Sequence, residues 1–324
     1  MRPTPRTLTR TSVRRSPLAR NLFVVIVVSL MFAFVGASLL LHAQTRGDAG
    51  KSNSAVIFCV SSDGATDVLL DPIVITGQGR FREIEGGADS AQFRSKYYRL
   101  NERYRLIFGG ATVGGVKITK TEAAECLPTG ADGQMQSSVR LGGSVMALAT
   151  DAGRMGGAAN ARRAPTNDER ATVLNLVRSE FLRRGTPAAS LEGITIENLT
   201  AFDLNRDGKH ELIGSFAINR ARPFLVRQLF VIGEPQPKAN YRLALARYDS
   251  FTEQNMMGEL SIEEIGKNAV LTEMLIDGLD TDGDGRDEVF TKSVSFEGTH
   301  YAIYRRRARG WQRVYETYNY RCGY

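Results

Sequence analysis

A chain of 324 residues with a hydrophobic fraction of 42% is long enough for about two domains with ordinary cores, which sets aside a wholly disordered protein. The net charge of +7 suggests a nucleic-acid partner until the charge is located: six arginines (Arg2, Arg6, Arg10, Arg14, Arg15, Arg20) precede any acid, and +7 less these six leaves +1 for residues 21–324. The basic excess is a topology signal, and nucleic acid is not an expected partner.

Residues 1–20 read as a basic head on the cytoplasmic side. They lead into residues 21–42, NLFVVIVVSLMFAFVGASLLLH, which carry no acid, lysine or arginine. About 20 apolar residues suffice for a helix to cross ~30 Å of hydrocarbon. The expectation is a single-pass membrane anchor through residues 21–42, with the bulk of the chain outside the cytoplasm. The alternative is a cleaved signal, with Leu41-His42-Ala43 before Gln44, and a secreted product. Residues 43–53 are small and polar and read as a linker.

All three cysteines, Cys59, Cys126 and Cys322, fall on the exported side, where disulfides persist. Cys59 and Cys126 lie near the two ends of the first exported region, and a bridge between them would leave Cys322 over. Three free or buried thiols are the other reading.

Residues 54–147 are expected to form a small β-sandwich or barrel. Ala55 to Val60 is a compact apolar run. Tyr97 to Leu100 and Tyr104 to Phe108 flank Asn101-Glu102, and Thr112-Val113 and Val116 to Ile118 flank Gly114-Gly115. Val139 to Leu141 and Ser144 to Met146 flank Gly142-Gly143. Aromatic and β-branched residues broken by turn dipeptides mark antiparallel hairpins. Residues 148–165, rich in alanine, glycine and arginine, read as a second linker.

A helix is predicted over 167–184. Thr166 and Glu169 make a capping box, Gly185 ends it, and Val173, Leu174, Val177, Phe181 and Leu182 recur at helical spacing. Residues 166–324 then continue as two unequal copies of one unit. Each copy has an apolar lead (Ile194 to Phe202; Leu275 to Leu279), an acidic loop and an exit strand (Leu212 to Ile218; Val289 to Phe296). Two further strands follow in each: Phe224 to Ile232 and Tyr241 to Tyr248, then Tyr301 to Arg305 and Trp311 to Tyr315. Glu259 to Glu264 reads as a helical or turn insertion between the copies.

The acidic loops carry the chemistry. Asp203-Leu-Asn205-Arg-Asp207-Gly208-Lys-His-Glu211 returns 77 residues later as Asp280-Thr-Asp282-Gly-Asp284-Gly285-Arg-Asp-Glu288. Oxygen-bearing side chains at positions 1, 3, 5 and 9 with glycine at 6 wrap a hard cation, and calcium best fits an all-oxygen set. An EF-hand would need glutamate at position 12 between helices; here position 12 is Gly214 and Thr291, between strands.

The two units resemble the FG-GAP and VCBS-type repeat, whose D-x-[DN]-x-D-G-x-x-[DE] loop connects strands of blade-like sheets. The resemblance implies side-chain ligands Asp203, Asn205, Asp207 and Glu211 with the carbonyl of Lys209. In the second loop it implies Asp280, Asp282, Asp284 and Glu288 with the carbonyl of Arg286. Two units fall short of a closed propeller. The expected architecture is therefore a mainly β domain of two blade-like sheets with one packed α-helix.

Nucleophile elbows, zinc-protease motifs and phosphate loops are missing from the sequence. His42, His210 and His300 stand apart, and His300 reads as a sheet-surface residue. The expected function is that of a calcium-stabilised, membrane-anchored, non-catalytic binding or scaffold protein with an extracytoplasmic protein or glycan as partner. The alternative is an exported hydrolase or other enzyme with structural calcium.

Overall fold

In the first described strand, β1 (Ser54–Ser61), every residue from Ala55 to Val60 is buried, so this strand has a core on each side. Alternate side chains divide accordingly: Val56, Phe58 and Val60 join one apolar cluster, Ile57 and Cys59 another. The computed structural model describes residues 54–64, 66–122, 125–157, 159–221, 224–237, 240–252, 273–295 and 298–322. The expected basic head, membrane span, first linker and the 259–264 insertion lie outside them.

The first cluster fills a closed antiparallel barrel. Its strands run β1, β7 (Ala147–Thr150), β4 (Arg103–Phe108), β5 (Ala111–Lys120), β6 (Ala131–Ser137) and β2 (Asp67–Gly77), and β2 pairs back with β1. A short β3 (Arg80–Arg82) extends β2 as a hairpin. Closure leaves these six strands without a free edge. Pro72, which has no N–H to give, sits where the β1–β2 register shifts. A helix of about two turns, α1 (Ala91–Tyr97), capped by Ser90, adds Phe93 to the barrel core against Phe58.

Three local expectations are corrected here. Tyr97 to Leu100 is the end of α1 and a turn rather than a strand; its aromatics fill the barrel core, with Tyr98 Oη donating to the carbonyl of Thr129 at 2.8 Å. Gly114-Gly115 lies inside the continuous strand β5, and the turn comes at Gly109-Gly110. A Cβ on Gly114 would stand 2.2 Å from the Gln136 carbonyl oxygen, so this glycine marks a close approach of β6. Residues 148–165 are bounded by structure rather than forming a free linker: Ala147 to Thr150 is barrel strand β7, and β8 (Arg162–Arg163) pairs with β9 (Ile194–Phe202).

Among the described residues, two further antiparallel sheets and a longer helix follow the barrel. The five-stranded sheet runs β12 (Asn240–Thr252), β11 (Phe224–Gln236), β10 (Glu211–Ala221), β9 (Ile194–Phe202), β8. The four-stranded sheet runs β13 (Met274–Leu279), β14 (Glu288–Ser295), β15 (Gly298–Arg307), β16 (Gly310–Tyr320). Each expected unit is thus one antiparallel meander, as its strand order predicted.

The layers stack in sequence. Ile276, Leu279, Phe290, Tyr301 and Ile303 of the four-stranded sheet pack on Ile57, Ile73, Ile107 and Leu148 of the barrel wall. The sheet's other face, with Leu275, Val289, Tyr304 and Trp311, meets Phe202, Ile213, Phe230 and Ile232. The far face of the five-stranded sheet then covers Val173, Val177 and Phe181 of α2 (Asn167–Arg183). Both halves of the predicted capping box are present: Glu169 N donates to Thr166 Oγ1 (3.2 Å) and Thr166 N to Glu169 Oε2 (2.7 Å). Leu182, expected in the buried stripe, is instead 47% exposed.

The disulfide also differs from expectation. Cys126 is joined to Cys322, and Cys59 is free and buried between barrel and sheet, where desolvation pushes its thiol up to about 11. Beside the bridge lies a buried knot around Asp71 of β2. Its carboxylate accepts from Thr129 Oγ1 (2.7 Å), Asn319 Nδ2 (3.0 Å), Tyr301 Oη and Arg321 Nη2. With every partner in place, a buried carboxylate is tolerated, and here it ties β2 to the end of β16.

Candidate cation loops

Each acidic loop connects the first two strands of its meander. Register puts the same positions opposite each other in both: Phe202 faces Glu211, and Leu279 faces Glu288. Eight residues therefore bridge each strand pair, and the short side chains fold inward to hold them. In loop 1, Asp203 accepts from the N–H of Asp207 (3.0 Å) and of Gly208 (2.9 Å), and Asp207 accepts from Lys209 N (2.8 Å). In loop 2, Asp280 accepts from Asp284 N (3.2 Å) and Gly285 N (2.9 Å), and Asp284 from Arg286 N (2.9 Å). Asn205 Oδ1 and Asp282 Oδ1 likewise receive the position-5 N–H, at 3.2 and 3.3 Å. Gly208 and Gly285 share left-handed φ values of 82° and 83°.

One ligand oxygen from each of Asp280, Asp282 and Asp284 lies within 4.8 Å of the others, so this group can hold a metal ion. The donor set is all oxygen, and each carboxylate keeps lone pairs beyond those taken by the backbone. Loop 1 makes the matching backbone hydrogen bonds with an amide, Asn205, at position 3.

The position-9 glutamates differ from the other expected ligands. Glu211 Oε2 accepts from Leu204 N (3.1 Å), and Glu288 Oε2 from Thr281 N (2.9 Å) and Thr281 Oγ1 (2.6 Å). Each braces its loop from below. Burial is the main force that pushes Glu211 up to about 7, with Asp207 and Asp203 adding to it, and burial likewise raises Glu288. The side chains of Lys209 and Arg286 are exposed, and their peptide N–H groups are the ones bonded to the position-5 aspartates.

Two basic residues were not foreseen from sequence. Arg305 of β15 donates from Nε to Glu288 Oε1 at 2.6 Å and lies 3.3 Å from Asp282 Oδ2. One guanidinium thus offsets the carboxylate, Asp282, that loop 2 carries where loop 1 has the amide Asn205. Its only sequence signal is its place on a strand paired with β14.

Arg206 joins the loops to each other. Its Nη1 donates to the carbonyl of Ala159 (3.0 Å) and its Nη2 to Asp287 Oδ2 (3.0 Å), while Asp287 N donates to the carbonyl of Leu204 (2.8 Å). Asp287 is pushed up to about 7, chiefly by burial, which outweighs the pull of Arg206. Between the loops opens a groove of about 210 Å³, lined in part by Asn205, Asp207, Arg286 and Trp311.

Of the two described histidines, His210 lies within loop 1 and His300 lies apart from both loops. His300 is exposed on β15 beside Tyr318, with ring centroids 4.8 Å apart, and partial burial holds it below the ordinary imidazole value. His210 contributes its carbonyl to Tyr241 Oη at 3.2 Å.

No family model matches the chain, and neither a curated protein nor a solved structure is found to be similar to it. Its functional reading therefore stands on the geometry of the loops.

Proposed function

We propose that this chain is an exported, membrane-anchored protein that binds calcium at two DxDxDG-type loops and serves as a non-catalytic binding or scaffold protein. The convergence of Asp280, Asp282 and Asp284 within 4.8 Å carries the reading. Asp203, Asn205 and Asp207 hold the same place in the other sheet, in keeping with the resemblance to FG-GAP and VCBS-type repeats. Calcium suits an all-oxygen, flexible donor set, and an extracytoplasmic module of this kind works at about 10⁻⁴ to 10⁻³ M. The ion would neutralise the crowded carboxylates and stiffen both strand connections.

Support for an extracytoplasmic location comes from the Cys126–Cys322 disulfide, since such bonds persist in oxidising compartments. The apolar run at 21–42 supplies the anchor, and the partner is a protein or glycan on that side of the membrane. The test is thermal unfolding of the chelator-stripped protein during a calcium titration, beside an Asp203→Ala plus Asp280→Ala variant. The reading requires a calcium-dependent rise in midpoint that the variant loses. An unchanged midpoint at millimolar calcium would reduce both loops to ordinary turns.

A further inference from the structure

We propose that the two loops take up their cations with positive coupling, an ion at one loop ordering the other through the joint of Leu204, Arg206 and Asp287. The proposal rests on the calcium reading and adds a regulation of that same site.

The backbone supplies the first link. Asp287 lies between Arg286 and Glu288, positions 7 and 9 of loop 2, and Leu204 lies between Asp203 and Asn205, positions 1 and 3 of loop 1. The bond from Asp287 N to the Leu204 carbonyl, 2.8 Å, therefore ties peptide planes next to ligand positions in both loops. A loop cannot settle around an ion without fixing the plane to which the other is bonded.

A side chain supplies the second. Arg206 holds φ at 59°, a left-handed conformation uncommon for a residue with a Cβ. The matching position of loop 2 is Gly283, which adopts φ 77° freely. In loop 1 that backbone shape is retained while the guanidinium reaches Asp287, 3.0 Å away on loop 2.

Packing leaves the joint little slack. Leu204 is 2% and Asp287 5% exposed. A Cβ on Gly110 of the barrel would stand 2.2 Å from both Arg206 Nη2 and Asp287 Oδ2, and one on Gly278 would stand 2.8 Å from the Phe202 ring. In so close a fit a displacement of one loop is passed on rather than absorbed. The ordering entropy of the shared joint is incurred with the first ion and not again with the second, which is cooperativity without a large change of shape. Linkage makes the effect reciprocal.

Calorimetric titration of the full-length, chelator-stripped protein with calcium tests the coupling. The wild type is expected to bind two ions, the second more tightly than independent sites allow. Asp280→Asn with Asp284→Asn disables loop 2 and leaves every ligand of loop 1; the remaining site should weaken about fivefold or more. Arg206→Gln keeps all ligands and the backbone bond between the loops, and should bind two ions with weaker cooperativity than the wild type. Circular dichroism of each ion-free variant establishes that the fold is kept. Independent binding in the wild type, or a loop 1 affinity indifferent to the loss of loop 2, overturns the coupling while the calcium reading survives. Absence of binding at millimolar calcium overturns the calcium reading and, with it, the coupling.

Discussion

Asp277 offers the sharpest test of how barrel and sheet are joined. The register of β13 on β14 skips Ile276, and this bulge lets Ile276 and Asp277 both face the barrel. The Asp277 carboxylate, 0% exposed, accepts the Gly109 N–H at 3.0 and 2.8 Å and the Gly278 N–H at 2.8 Å. Burial pushes its pKa from 3.8 up to about 6, against the opposing pull of Arg162 and these N–H groups. The folded protein therefore holds the proton more tightly than the unfolded chain does. This contribution to stability is greatest below about pH 3.8, falls as pH rises to about 6 and is level above.

At about 1.4 kcal/mol per tenfold step in proton affinity, the fall amounts to about 3 kcal/mol. Asp277→Asn keeps an acceptor for Gly109 and removes the titration. Urea unfolding of both proteins across this range, with chelator present, should show the variant gaining about 3 kcal/mol relative to wild type from acid to neutral pH. A difference between the two that stays flat with pH would refute the argument. Asp277→Ala leaves the Gly109 and Gly278 N–H groups without their acceptor and should cost about 2–5 kcal/mol.

Other expectations follow from single contacts. Arg305→Gln removes the guanidinium 3.3 Å from Asp282 and should raise the calcium affinity of loop 2 several-fold by calorimetry, since a like charge has left the site. Peptide mapping without reductant should recover Cys126 linked to Cys322 and Cys59 as a thiol, and Cys126→Ser with Cys322→Ser should lose about 2–5 kcal/mol in urea unfolding. Glu169 is held down at about 2, chiefly by Arg163, so its contribution is present above the ordinary value of 4.5 and lost as pH falls toward 2. Glu169→Ala, which opens the capping box, should lower stability by about 1 kcal/mol at neutral pH and by progressively less in acid, measured by thermal melting.

Elements with a strong local signal were legible in the sequence. The α2 helix announced itself through Thr166, Glu169 and a 3.6-residue stripe, and the meanders through repetition of a whole unit. The loops were legible because position 6 demands glycine and the odd positions demand oxygen. Decisions made by distant partners were hidden. Ala147 to Thr150 has too little apolar bulk to read as a strand, yet it sits between β1 and β4, where small residues fit. Tyr97 and Tyr98 look like strand residues and instead close a helix, because the barrel core needs their rings. The roles of Arg206 and Arg305 depend on contacts 81 and 17 positions away, which no spacing rule encodes. Proximity in the chain offered Cys59 as one partner for Cys126, whereas Cys126 finds its partner 196 positions on.

The knot at Asp71 sets a timetable for biogenesis. Its guanidinium partner, Arg321, is translated 250 positions later, and Tyr301 follows by 230. At about 5–20 residues per second the ribosome needs roughly 12–50 s to span that interval. For the 155 positions between Leu148 and Ile303, the barrel wall of Ile57, Ile73, Ile107 and Leu148 has been made while Ile303, which will cover it, has not. The nascent chain thus carries an uncovered apolar surface for roughly 8–31 s at that rate. The seam is sealed only when Tyr301 and Ile303 of β15 arrive.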